Sequence, residues 1–241
     1  MNRAPRFLLG GILDEGRQRR PAGEVWYKGR VLIETFPTGP LGCNCSLIVD
    51  PASKEAVVID PGGDFDAIRA RLERAGASVK AIVHTHTHID HVGATAPLQR
   101  WSSAAARIHE DDRFLYELLP VQAAMLRIPV PEVCELDGDL LDGVSVRAGA
   151  IDLQVIHTPG HTPGSVSFVL KAPDGLVAFA GDTLFRRGIG RTDLWGGDQA
   201  AIFRSIKNRL FSLDDATRVV TGHGPDTTIG EERGKNPFVR G

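Results

Sequence analysis

The stretch His84-Thr85-His86-Thr87-His88-Ile89-Asp90-His91 packs four histidines and an aspartate into eight residues. Neutral imidazole and carboxylate are ligand types for zinc, iron and manganese. The strand-like run Ala81-Ile82-Val83 leads straight into this cluster. Side chains two apart on an extended segment point the same way, so His86 and His88 can present imidazoles to one ion. Asp90 and His91 follow as the chain turns into a helix; they point elsewhere and suit a second ion nearby. His84 falls inside the strand pattern and reads as structural. Hydrolysis is one chemistry open to such a cluster. A bound divalent cation lowers the pKa of water from about 15.7 to about 7, which makes hydroxide available at neutral pH to attack an ester, thioester, lactone or amide carbonyl.

Positioning these groups requires a framework of strands and helices. Residues 46–49 and 56–59 read as short strands around the turn Asp50-Pro51-Ala52-Ser53. Residues 64–75 place Ile68 and Leu72 four apart among charges, with Gly76 as a stop, which predicts an amphipathic helix. Helical text follows over 91–101 and 111–127, then strands over 144–148, 151–157, 165–171 and 176–180. A helix over 198–211 and a strand over 217–221 complete the pattern. This is a mixed α/β chain. Periodicity alone fits either two sheets covered by helices or one doubly wound sheet.

The 241 residues suffice for a sizeable core. Twenty-eight basic against 30 acidic residues leave a net charge of −2, which argues against nucleic acid or an anionic membrane as partner. The three cysteines argue against a disulfide-stapled secreted scaffold and for a reducing cytoplasm. No apolar run approaches the roughly 20 residues of a membrane helix. Residues 1–28, with a short apolar run near Phe7 and arginines at 17, 19 and 20, read as an N-terminal extension to a catalytic domain over 29–241.

The run Thr85-His86-Thr87-His88-Ile89-Asp90-His91 resembles the metal-binding signature of the metallo-β-lactamase-fold hydrolases. Three further segments match in the expected order: His157-Thr158-Pro159-Gly160-His161, Gly181-Asp182-Thr183, and Thr221-Gly222-His223-Gly224. The resemblance implies an αββα sandwich of two mixed β-sheets flanked by helices. It also implies two divalent ions, zinc first, with iron or manganese as alternatives. His86, His88 and His161 would hold one ion, and Asp90, His91 and His223 the other. Asp182 would bridge them, and Asp90 and Asp182 would carry catalytic roles as well. Asp60, at the end of an apolar strand, is either a turn former or the group that orients a ligand imidazole. His157 reads as a packed histidine and His109 as a surface or hinge residue.

Gly188-Ile189-Gly190-Arg191-Thr192-Asp193 and the segment from Gly222 to Glu232 resemble the short bacterial members of the glyoxalase II group, the hydroxyacylglutathione hydrolases. That implies hydrolysis of a small-molecule acyl thioester, with glutathione conjugates as the family's substrates. Arg191 stands where the family places a basic residue towards glutathione. A loop-stabilising arginine is the alternative. The family's long members add a C-terminal helical domain with further basic contacts, and Gly224-Pro225 replaces its aromatic residue after the last histidine. The same text also resembles the single-iron persulfide dioxygenases, in which only His86, His161 and Asp182 would bind metal. Other esters and lactones remain alternative substrates. Cys43-Asn44-Cys45 reads as packing beside a strand.

Overall fold

The computed structural model describes residues 24–26, 31–172 and 174–239. The extension expected over residues 1–28 lies outside the described residues except for Glu24–Trp26. Strands β1 (Glu24–Trp26), β2 (Leu32–Thr38), β3 (Cys43–Val49), β4 (Glu55–Ile59), β5 (Ser78–Val83) and β6 (Ala105–Arg107) form one sheet in sequence order. Pairing is antiparallel from β1 to β4 and parallel from β4 to β6. The second sheet uses β7 (Ser145–Ala148), β8 (Ile151–His157), β9 (Val166–Ala172) and β10 (Gly175–Gly181). After a small hairpin, β11 (Leu184–Phe185) and β12 (Gly188–Ile189), it is completed by β13 (Arg218–Thr221) and β14 (Thr227–Thr228), in the order β14-β13-β10-β9-β8-β7. Only β10 and β13 run parallel within it.

Both faces of the central strands are apolar, which is why the sheets stack. Along β4 the side chains alternate. Ala56 and Val58 join a core under helices, while Val57 and Ile59 join the core between sheets. The inter-sheet core sets Ile33, Ile48 and Val83 against Leu153, Phe168 and Phe179. Outside the first sheet lie α1 (Phe65–Ala75), α2 (Ile89–Val92), α3 (Thr95–Ser102), α4 (Arg113–Glu117) and α5 (Leu119–Leu126). Helix α1 buries Ile68 and Leu72 completely, about 1.5–3 kcal/mol each, and Gly76 ends it with a left-handed φ of 62°. Outside the second sheet, α6 (Gln199–Ser205) and α7 (Ile229–Lys235) bury Ile202 and Ile229 on Ala180 and Val219. The result is a helix–sheet–sheet–helix sandwich.

Two expected helices are broken. The 91–101 segment divides at Gly93, where a side chain would overlap the carbonyl of Gly62. The 111–127 segment divides at Leu118, before Pro120 starts a new helix. Helix α6 passes directly into a π-helical turn over Ile206–Leu210. Among the described residues no helix is long and apolar enough to cross a membrane.

Candidate metal centre

All seven ligand-type residues expected from the sequence come together along the seam where the two sheets meet. His86, His88, Asp90 and His91 lie just past the C-terminal end of β5. His161 sits in the turn between β8 and β9, Asp182 follows β10, and His223 follows β13. Strand ends are rigid platforms, and the loops after them are short.

The first set is three imidazoles. The rings of His86, His88 and His161 are 4.7–4.8 Å apart, with interplanar angles of 77–89°. His88 Nδ1 and His161 Nε2 face each other at 2.9 Å. The second set is Asp90, His91 and His223. His223 Nε2 lies 3.0 Å from Asp90 Oδ2, and His91 Nε2 lies 3.9 Å from the same oxygen. Asp182 stands between the sets. Its Oδ2 is 3.7 Å from His161 Nε2, and its Oδ1 is 3.4 Å from His91 Nε2 and 3.9 Å from His223 Nε2. Tetrahedral ligands about 2.1 Å from one ion lie about 3.4 Å from one another. The observed separations straddle that value in both sets.

The residues therefore fit a pair of metal ions, and their unpaired atoms support the fit. His86 Nε2, His88 Nε2, His91 Nε2 and Asp182 Oδ1 are buried without a hydrogen-bond partner. Buried polar atoms are otherwise almost always paired, so these lone pairs are kept for something else. The opposite ring nitrogens are anchored. His91 Nδ1 donates to Asp60 Oδ2 at 3.1 Å, and His161 Nδ1 donates to the Arg191 carbonyl at 2.8 Å. His86 Nδ1 lies 3.2 Å from Thr85 Oγ1, which itself donates to Asp60 Oδ2 at 2.7 Å. These bonds fix the tautomers and aim the free nitrogens inward. Of the two readings of Asp60, the orienting one matches its hydrogen bonds. Gly222 must lack a side chain, because a Cβ there would overlap Asp182 Oδ1.

Electrostatics favour the ligand forms of five of the seven residues, while Cys43 and the carboxylates of Asp60, Asp182 and Asp90 raise His91 well above the usual imidazole range and the hydrogen bond to Asp90 raises His223. Burial keeps the imidazoles of His86 and His161 below their usual range and pushes His88 down to about 3. Asp90 and Asp182 are also buried, which opposes ionisation, but the surrounding imidazoles together outweigh it, His91 and His223 at Asp90 and His91, His161 and His223 at Asp182, and hold both low. A stability prediction follows for protein stripped of metal. His86, His88 and His161 stay neutral in the fold but take up protons near pH 6.5 when unfolded. Their contribution to stability is thus fully present above about pH 6.5 and is lost as pH falls below it, by up to about 4 kcal/mol per pH unit for three protons, whereas the raised His91 and His223 contribute stability that is full below about pH 6.5 and is lost only as pH rises. Urea melts of EDTA-treated protein at a series of pH values will show this fall. A flat profile between neutrality and pH 5 would contradict it.

The other histidines are structural. His84 donates from Nδ1 to the Arg107 carbonyl and accepts from the Thr95 hydroxyl, tying β5 to β6 and α3. His157 donates to the Pro163 carbonyl and stacks at 4.3 Å on His109, which gives that residue a partner the sequence did not reveal. Arg191 lines the cleft over the centre, but its guanidinium forms a fork with Asp193, at 2.7 and 2.8 Å. Cys43 and Cys45 are buried in β3, with Cys43 Sγ 3.4 Å from His91 Nδ1.

Asp112 escaped sequence reasoning. Its buried carboxylate accepts from Thr87 N and Thr162 Oγ1 through Oδ2, at 3.1 and 2.9 Å, and from Gly164 N through Oδ1, at 2.6 Å. It thereby fastens the loop of His86 and His88 to the turn of His161. Glu110-Asp111-Asp112 looks like any charged helix start, and the only sequence signal is its place before the apolar residues of α4.

A sandwich of two mixed sheets with an imidazole and carboxylate cluster on its seam defines a metallo-hydrolase class, and residues 38–223 match the model of the metallo-beta-lactamase superfamily. The chain belongs to that superfamily. It is 38% identical over 219 residues to the hydroxyacylglutathione hydrolase GloC of Haemophilus influenzae, covering 86% of this chain and 97% of that one. Among solved structures it resembles the BLEG-1 B3 metallo-beta-lactamase, with a TM-score of 0.79 and 37% identity over 87% of this chain and all of that one. It also resembles TTHA1623 in a di-iron-bound form, with a TM-score of 0.73 and 40% identity over 84% of this chain and 98% of that one.

Proposed function

We propose that the protein is a metal-dependent hydrolase of acyl thioesters. In this reading His86, His88 and His161 would hold one ion and Asp90, His91 and His223 a second, with Asp182 contributing to both. The observation that carries it is the carboxylate of Asp182, whose two oxygens face opposite ligand sets. Zinc is the first candidate, with iron kept open by the di-iron neighbour. Bound there, such ions would supply a water of lowered pKa as nucleophile and a Lewis acid for the carbonyl oxygen.

The chain's own residues supply the rest. Asp60, Thr85 and the Arg191 carbonyl hold the imidazoles of His91, His86 and His161, respectively, in one tautomer and one orientation. Asp90 and Asp182 line the cleft floor as carboxylates kept ionised by the imidazoles around them, placed to accept a hydrogen bond from the attacking water. Addition of water to the thioester forms a C–O bond and breaks the C–S bond. The thiolate leaves with the electron pair and takes up the proton, giving a carboxylic acid and a thiol. A thiolate is a good leaving group and needs no further acid from the cleft wall to depart. The free thiols of Cys43, Cys45 and Cys134 accord with the reducing, cytoplasmic setting we infer.

The test is turnover of S-D-lactoylglutathione and of simple acyl thioesters by zinc-loaded protein, with His86→Ala as control. Hydrolysis by the parent and none by the variant is expected. No hydrolysis of any thioester by protein carrying two ions overturns the reading, as does oxygen uptake with glutathione persulfide in place of thioester cleavage.

A further inference from the structure

The cleft above the centre has a volume of about 220 Å³, and its walls are Leu41, Ile89, Met125, Leu126, Leu194 and Trp195. Three observations set the chemistry of what enters. First, α5 runs from Leu119 to Leu126 without a charged residue, and its last turn leaves Met125 61% and Leu126 46% exposed beside the site. A surface helix ordinarily turns polar residues to water, so adjacent large apolar side chains at a cleft mouth mark a binding wall. Second, the uncharged polar side chain in that wall is already committed at both ends. Gln122 Oε1 accepts from Ile89 N at 2.9 Å, and its Nε2 donates to the Leu115 carbonyl at 2.8 Å. Third, the Lys or Arg on the cleft lining is Arg191 alone among the described residues, and Asp193 neutralises it through two hydrogen bonds. A substrate carboxylate would have to trade one exposed ion pair for another, an exchange that gains little.

We propose, resting on the thioesterase reading above, that this cleft selects uncharged substrates bearing an apolar acyl group over glutathione conjugates. Met125, Leu126 and Trp195 are its specificity-determining contacts. Glutathione brings two carboxylates and an ammonium, for which the wall offers no unpaired partner among the described residues. An alkyl chain instead covers the exposed end of α5.

The experiment compares kcat/KM of the zinc-loaded protein for S-D-lactoylglutathione with that for acetyl, butanoyl and hexanoyl thioesters of N-acetylcysteamine, whose thiol is uncharged. Burial of a methylene corresponds to about a threefold to fourfold gain, so kcat/KM should climb by roughly that factor with each added carbon until the cleft is full. The hexanoyl thioester should exceed lactoylglutathione by at least about tenfold. In Met125→Asp the hexanoyl-to-acetyl ratio should collapse towards one. In Asp193→Ala, which frees the Arg191 guanidinium, the ratio of lactoylglutathione to hexanoyl turnover should rise severalfold. Rates independent of acyl length, or a preference for lactoylglutathione in the parent, overturn the selectivity while leaving the thioesterase reading intact. No turnover of any member of the series overturns both.

Discussion

Asp182→Ala is expected to cut thioester turnover by at least about 10³-fold, roughly 4 kcal/mol of barrier, and to lower bound metal from two ions per chain to one or none. Asp182 is the residue whose loss damages both ligand sets together. Without it the first set keeps three imidazoles, and the second keeps Asp90, His91 and His223. Its Oδ1 also lies within 4 Å of both His91 and His223, so removal leaves those two rings facing each other with less compensating charge. Nothing else fills the gap, because Gly222 brings bare backbone against that carboxylate. Metal content by elemental analysis, turnover, and circular dichroism for the fold should be read together. Asp182→Asn keeps the shape and one oxygen, and is expected to retain one ion more often than two. Full metal content with undiminished turnover in Asp182→Ala would remove this residue from the centre.

Replacing Asp112 by alanine should destabilise the chain by about 3–4 kcal/mol. The buried backbone N–H groups of Thr87 and Gly164 lose the acceptor they bond here, at about 1–3 kcal/mol each. The Thr162 hydroxyl suffers less, since Ser165 Oγ lies 2.7 Å away. For a chain of this size the melting temperature should fall by about 10 °C. Burial pushes the Asp112 carboxyl up to about 6, so above neutral pH it is ionised and accepts all three bonds. Its function goes beyond stability. It ties the loop of His86 and His88 to the turn of His161, so its loss should weaken metal affinity by about 10- to 100-fold, the range seen when the supports of metal ligands are removed. Urea melts and competition with a chelator give the two readouts. Lost stability with unchanged metal affinity would reduce Asp112 to a packing residue.

Much of the centre was legible because ligation needs particular residue types in a short run. His86, His88, Asp90 and His91 announce themselves by spacing alone. His161, Asp182 and His223 became readable only through the resemblance, since a lone histidine after a glycine turn has no local signature. Asp112 and Gln122 were invisible. Each acts by satisfying backbone groups of a distant loop, and no sequence period encodes that pairing. In the fold, the strand over 151–157 shows in its alternation and the strand over 176–180 in its unbroken apolar run after a turn. The long helices over 91–101 and 111–127 were drawn too continuous, because the contact that breaks the first, Gly93 against Gly62, is tertiary. Arg191 shows the same limit, since whether it meets a substrate or Asp193 depends on loop conformation rather than residue type.

The ligand sets draw on both halves of the chain. Four of the seven residues follow β5 in the first sheet, and three follow β8, β10 and β13 in the second. Ions held across that seam would tie the halves to each other, and any species that binds only the folded chain adds to its stability by mass action, about 2.7 kcal/mol when free ion exceeds its dissociation constant a hundredfold. A cell starved of the metal would then hold a looser chain, open along its seam and quicker to be degraded. Abundance of the protein would track the supply of its ion, so scarcity would remove the catalyst itself as well as silence it.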